Sequence, residues 1–370
     1  PLPNLRCLNV SCCTNLIQVP NFGEATNLKS LNLKGCIRLW RFHPSVGFPR
    51  NLTYLNLSGC KSIVELPHFV QALNLEMLNL EQCVQLRQLH SSIGLLRKLT
   101  ILNLKECRSL NDLPHFVEDL NLEELNLEGC VQLRHIHPSI GHLRKLTVLN
   151  LKNCKSLVSL PNNILGLSSL EYLSLFRCSN LYNIHLSEEQ RGARHLKKHR
   201  IGEAPSCSQS IFSFLKKLLP WPSVAFDKSI EDAHKDSVRC LLPSLPILSS
   251  MRELDLSFCN LLKIPDAFGN FHCLEKLCLR GNNFETLPSL KDLSKLLVLN
   301  LQHCKRFKYL PDLPSRTNLR SPSRYELQWS ISSIENDEYV LGLNIFNCPE
   351  LVERDCSTRM CLSWMMQMVK

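Results

Sequence analysis

Leu28-Lys-Ser-Leu31-Asn-Leu33-Lys-Gly-Cys36 is followed by Leu52-Thr-Tyr-Leu55-Asn-Leu57-Ser-Gly-Cys60 and then by Leu75-Glu-Met-Leu78-Asn-Leu80-Glu-Gln-Cys83. The string L-x-x-L-x-L-x-x-C thus returns every 23 or 24 residues. Side chains alternate across a strand, and a stack of parallel strands hides one face, so the leucines point inward and the residues between them line the other face. One such unit cannot bury its leucines alone, which makes stacking on its neighbours obligatory. The register can be followed through units starting at Leu5, Leu28, Leu52, Leu75, Leu99, Leu122, Leu146, Leu170, Met251, Leu274 and Leu296.

The period and spacing are those of a leucine-rich repeat. The expected fold is an α/β horseshoe-shaped solenoid of about eleven coils, with a parallel sheet on its concave face. After each cysteine comes an x-x-Leu-x-x-Leu-Pro stretch, as in Cys60-Lys-Ser-Ile63-Val-Glu-Leu66-Pro67, where proline ends the ladder and turns the chain onto the convex side. Apolar residues three apart, such as Ile140, Leu143 and Leu146, or Ile164, Leu167 and Leu170, predict one short helical turn packed inward. The pattern divides the chain into coils at 1–185, a basic and partly disordered insertion at 186–250, further coils at 251–311, and the start of a post-repeat region at 312–370.

A 47-residue period overlies the first, because coils of a Cys-Lys/Arg-Ser form (Cys60, Cys107, Cys154) alternate with coils ending in histidine (Cys36, Cys83, Cys130). Duplication of a two-coil unit is the simplest origin. The seventh place of successive coils reads Glu81, Lys105, Glu128, Lys152, an alternating row in which each contact is worth roughly 0.2–1 kcal/mol. That stretch of the concave face is expected to satisfy itself, and so to be the weaker candidate for ligand contact.

The chain has 370 residues and a formal net charge of +10, with 44% hydrophobic and 21% charged residues, enough for a continuous core. It contains no run of 18 apolar residues and no signal-peptide pattern at its start, so no membrane span is expected. Pro1 already lies inside the repeat pattern, and an uncapped solenoid end would expose leucines, so a preceding segment is expected in the natural protein. Of the 19 cysteines, Cys13, Cys36, Cys60, Cys83, Cys107, Cys130, Cys154, Cys178, Cys259 and Cys304 share the ninth place of the repeat, where Asn282 stands in once. A buried thiol is a small apolar residue with a weak donor, so this ladder reads as packing rather than chemistry, and its regularity favours a reducing compartment, cytosolic or nuclear. The sequons at Asn9, Asn51 and Asn56 follow from the Asn-Leu-Ser grammar of the repeat itself.

Catalytic and cofactor motifs are missing: there is no G-x-x-x-x-G-K, no G-x-G-x-x-G and no H-E-x-x-H. Histidines 43, 90 and 137 recur at 47-residue spacing, as do 68 and 115, which places the members of each series two coils apart and predicts no shared metal ion. No enzyme activity, cofactor or metal site is expected.

Between 186 and 250 the run Arg191-Gly-Ala-Arg194-His195-Leu-Lys197-Lys198-His199-Arg200 could bind nucleic acid, an acidic partner or an anionic membrane by charge. It lacks interleaved aromatics, so a solvated segment is the plainer reading and no specific nucleic acid is assigned. Near the end, residues 360–369 have the make-up of a short amphipathic helix, too short to span a bilayer.

Several strings together carry a family resemblance. These are Asn21-Phe-Gly-Glu-Ala-Thr-Asn27, the stretch from His137-Pro-Ser-Ile-Gly through Cys154, Leu160-Pro161, Cys240-Leu-Leu-Pro-Ser-Leu245, Asp255-Leu-Ser-Phe-Cys259 and Phe346-Asn-Cys-Pro349. They resemble the repeat region of plant intracellular disease-resistance proteins that join a Toll/interleukin-1-receptor (TIR) domain, a nucleotide-binding domain and leucine-rich repeats, the legume branch most closely. The resemblance implies a sensor of a pathogen effector or of a guarded host protein, in contact with nucleotide-binding and TIR domains that these residues do not include. A generic intracellular scaffold and, less favoured, an extracellular receptor ectodomain stay open beside it.

Partner contacts are expected where the charge row lapses and aromatics enter exposed places: Tyr172, Phe176 and Arg177, then Arg252 and Phe258, then Arg280 and His303. Equally open is the reading in which Phe176 and Phe258 cover the base of the insertion between them.

Overall fold

The computed structural model describes residues 4–19, 25–42, 48–181, 248–314 and 342–351. The bulk of the predicted insertion, the amphipathic stretch at 360–369 and His43 lie outside the described residues.

Twelve three-residue strands form one all-parallel sheet: Cys7–Asn9, Ser30–Asn32, Tyr54–Asn56, Met77–Asn79, Ile101–Asn103, Glu124–Asn126, Val148–Asn150, Tyr172–Ser174, Glu253–Asp255, Lys276–Cys278, Val298–Asn300 and Gly342–Asn344. Each is the third to fifth place of its coil, and the register runs place for place, Leu149 beside Leu173 and Leu173 beside Leu254. The break in the repeat therefore leaves no break in the sheet. Arg252 N donates to Glu171 O, and Ser250 Oγ to Ser168 O, as if the two coils were consecutive.

The sheet runs one strand further than the eleven registers read from the sequence. In the coil built on Gly342–Asn344, Ile345 stands in a leucine place, and Cys348 Sγ donates to Leu301 O at 3.1 Å. A β-branched residue fills that leucine niche, which is why counting leucines passes over this coil.

The first, fourth and sixth places of the coils from Leu28 to Leu296 are buried and form one core cluster with the cysteines. Burying a leucine is worth about 1.5–3 kcal/mol, and here nearly every one is covered by the coil on either side. The convex return carries single 3-10 turns, at Ser91–Leu95, Pro138–His142, Asn162–Gly166 and Asp266–Asn270, with Ile93, Ile140, Ile164 and Phe268 pointing inward.

The 47-residue period has a packing cause. Ser92 Oγ accepts from Phe69 N at 2.9 Å, and Ser139 Oγ from Phe116 N at 3.0 Å, so a serine-bearing coil docks on a phenylalanine-bearing one. The separation expected of the histidines needs correcting for the same reason. The two series alternate, so His68 meets His90 with ring centroids 4.1 Å apart, and His115 lies 5.2 Å from His137 and 6.1 Å from His142. Among the described residues no group of three or more histidine, cysteine or acidic side chains is arranged to hold a metal ion.

Candidate functional site

In most coils three side chains build the turn that ends the strand, while Ser174, Asp255 and Cys278 stand in place of its asparagine in the coils from Leu170, Met251 and Leu274. The fifth-place asparagine accepts from the seventh-place N–H, as Asn150 Oδ1 does from Lys152 N at 3.1 Å. The eighth residue then takes a left-handed conformation in all twelve coils, although only Gly35, Gly59, Gly129 and Gly281 are glycines. The ninth-place thiol donates back to the sixth-place carbonyl of the preceding coil, as Cys107 Sγ does to Leu80 O at 3.1 Å and Cys154 Sγ to Leu127 O at 3.1 Å. Burial pushes the thiols of Cys60, Cys107 and Cys178 up to about 12, so they remain S–H donors. Asn282, in the same niche, donates to Leu256 O and Leu279 O and accepts from Leu261 N.

The seventh and eighth places thus line one edge of the sheet, and four of the candidates meet there. Phe176 and Phe258 stack edge to face with centroids 5.4 Å apart. The Arg177 guanidinium lies 5.0 Å from the Phe176 ring and 5.5 Å from Phe258, and that of Arg280 lies 5.9 Å from Phe258. Lys152 Nζ completes the group, 5.3 Å from Phe176. Two rings therefore hold three cations, each contact worth about 0.5–1 kcal/mol at an exposed site. Arg177 (φ 57°) and Phe258 (φ 56°) are left-handed, a conformation unusual for side chains of this bulk. Gly281 makes room for them, because a Cβ there would run into the Phe258 ring.

The other three candidates lie elsewhere. Tyr172 opens its strand, beside Val148 and Glu253. Arg252, in the second-place row, is held by Glu275 (Nε to Oε1 3.0 Å, Nη2 to Oε2 3.2 Å), with Glu171 3.7 Å away on its other side. Its charge is already met within the sheet. His303 faces Phe346 at 5.9 Å and Asn347 at 2.9 Å, one coil beyond the strands read from the sequence. Phe346 is 71% exposed.

Sequence reasoning missed Lys152, which it assigned to the charge row, and Phe346. Within that row Lys105 Nζ pairs with Glu128 Oε1 at 3.4 Å, while Lys152 turns away from Glu128 to the Phe176 ring. An aromatic in the next coil's seventh place was the signal for it.

The leucine-rich-repeat family model matches residues 51–73 and 250–271. Disease resistance-like protein DSC1 of Arabidopsis thaliana is 40% identical over 89 residues, 24% of this chain and 7% of that protein. TMV resistance protein N of Nicotiana glutinosa is 41% identical over 88 residues, 23% of this chain and 8% of that one. A crystal structure of a TDR receptor aligns with 84% of this chain and 52% of its own at 19% identity and a TM-score of 0.42. The chain is a leucine-rich-repeat solenoid, similar over about a quarter of its length to plant disease-resistance proteins and spanning under a tenth of theirs. No helix among the described residues is long and apolar enough to cross a membrane.

Proposed function

We propose that this chain is the non-catalytic recognition module of a plant intracellular immune receptor, which binds a pathogen effector or a guarded host protein and restrains attached signalling domains. The Phe176–Phe258 pair with Lys152, Arg177 and Arg280 carries the reading. Aromatic and arginine side chains dominate interface energetics, and these are ordered before any partner arrives. The ladder supports a reducing compartment such as the cytosol or nucleus, because each thiol must keep its proton to donate.

In the full-length receptor expressed in leaf tissue, replacing Phe176, Arg177 and Phe258 together by alanine should weaken binding of the co-purifying partner by about 30-fold or more, the scale of one lost hot-spot residue. A variant with unchanged circular dichroism that still retains that partner overturns the reading.

A further inference from the structure

The middle coils carry a second surface. Six successive strands place Tyr54, Met77, Ile101, Glu124, Val148 and Tyr172 in one register-matched row across the concave face. All six are partly exposed. Five are apolar or aromatic, and the exception stands near the centre, between Ile101 and Val148. Burial against these neighbours raises the Glu124 carboxyl above its ordinary value, and among the described residues it has no hydrogen bond or ion pair. The acids of the seventh-place row differ, since Glu128 holds Lys105 and Asn150, and Glu81 holds Asn103.

The row alongside adds the same sign. Thr53, Thr100 and Thr147 spend their hydroxyls on second-place carbonyls of the preceding coil, while Glu76 and Glu123 between them are exposed and meet no cation among the described residues. In a chain of net charge +10 this patch is acidic, and a carboxylate set among apolar side chains is costly without a partner.

Strand spacing selects the shape of what fits. Six strands at about 4.8 Å span roughly 24 Å. A helix laid across them advances about 5.4 Å per turn, close to one turn per strand, whereas an extended chain returns to the same face only every 6.6–6.8 Å or so. About 16 helical residues cover the row.

We infer that the concave face of the middle coils docks an amphipathic helix of a protein partner, one lysine or arginine in the middle of its apolar face pairing with Glu124. Apolar residues one turn apart sit against Met77, Ile101, Val148 and Tyr172, and the exposed Glu76 and Glu123 favour a basic flank. This surface is separate from the Phe176–Phe258 rim, and neither proposal depends on the other.

The test uses the whole chain and three synthetic 18-residue amphipathic peptides with one leucine face, differing only in a central arginine, norleucine or glutamate. The arginine peptide should bind at least ten times more tightly than the glutamate peptide. Glu124→Gln should bring it down to the norleucine level, and Glu124→Arg should reverse the order. Equal binding of the three peptides, binding of none, or indifference to Glu124→Gln in a folded protein overturns the inference. So does loss of binding in the Phe176, Arg177 and Phe258 triple alanine variant, which would move the site to the rim.

Discussion

Cys107 and Asn282 occupy the same niche with different numbers of hydrogen bonds. The thiol makes one, to Leu80 O, whereas the amide makes four, to Leu256 O, Leu279 O, Leu261 N and, at 3.5 Å, Arg280 O. Both residues are fully buried, so truncation leaves backbone groups without water to replace the lost partner. Cys107→Ala should cost about 1–3 kcal/mol from one orphaned carbonyl and a small void, and Asn282→Ala clearly more. Urea unfolding at pH 7 measures both, and equal costs would mean that the niche is filled by volume alone. Gly281 poses a sharper residue-scale demand: other coils carry side chains at the same left-handed place, but here the Phe258 ring fills the space that a Cβ would take. Gly281→Ala should displace that ring, and the triple alanine variant should then lose little further partner affinity when Gly281→Ala is added. An additive loss of affinity would show that glycine and ring act independently.

At the scale of one convex turn, His90 joins two coils. Its Nδ1 accepts from Ser92 N at 3.1 Å and lies 2.8 Å from Ser92 Oγ, which in turn accepts from Phe69 N. A proton on Nδ1 would remove that acceptor, capping the turn no longer. Burial, and next the neighbouring His68, hold the His90 pKa below its ordinary 6.5. The unfolded chain thus takes up the proton first as pH falls, so this stability is present above pH 6.5 and is lost on acidification through the lower folded value. His90→Asn keeps an N-cap acceptor and removes the titration, so its urea midpoint should fall less than that of wild type between pH 7.5 and 5. Parallel shifts in the two proteins would sink the idea. The motif His-x-Ser was legible, but not its partner: the sequence aligns each histidine with its copy two coils away, whereas stacking sets it against the other series. The candidate rim was legible to the same degree. Phe176, Arg177, Phe258 and Arg280 could be placed from the seventh and eighth positions, but Lys152 could not, because its choice between Glu128 and the Phe176 ring is made by packing.

Over the whole molecule the repeat spacing dictated strands, register and core, because every coil faces the same burial problem and solves it alike. What it could not give was continuity across residues 182–247, since adjacency of Tyr172–Ser174 and Glu253–Asp255 is a long-range pairing that no local pattern encodes. The ladder then gives the assembled solenoid a collective property. Cys83, Cys130, Cys154 and Cys259 are held well above the ordinary thiol value of 9.0, principally by burial, and Cys60, Cys107 and Cys178 reach about 12. Above pH 9 the unfolded chain releases protons that the folded ladder keeps, so stability is fully present below that pH and falls as pH rises toward the folded values. Each thiol contributes a slope of up to about 1.4 kcal/mol per pH unit, and seven together rival the whole stability of an ordinary domain. The protein should therefore unfold steeply in alkali. Between pH 9 and 10.5 the stability of Cys107→Ala should decline less steeply than wild type by the slope of one thiol, even though it starts lower at pH 8. If both lines fall in parallel, the ladder thiols are ionising in the folded state and the S–H to carbonyl bonds are not what close the coils.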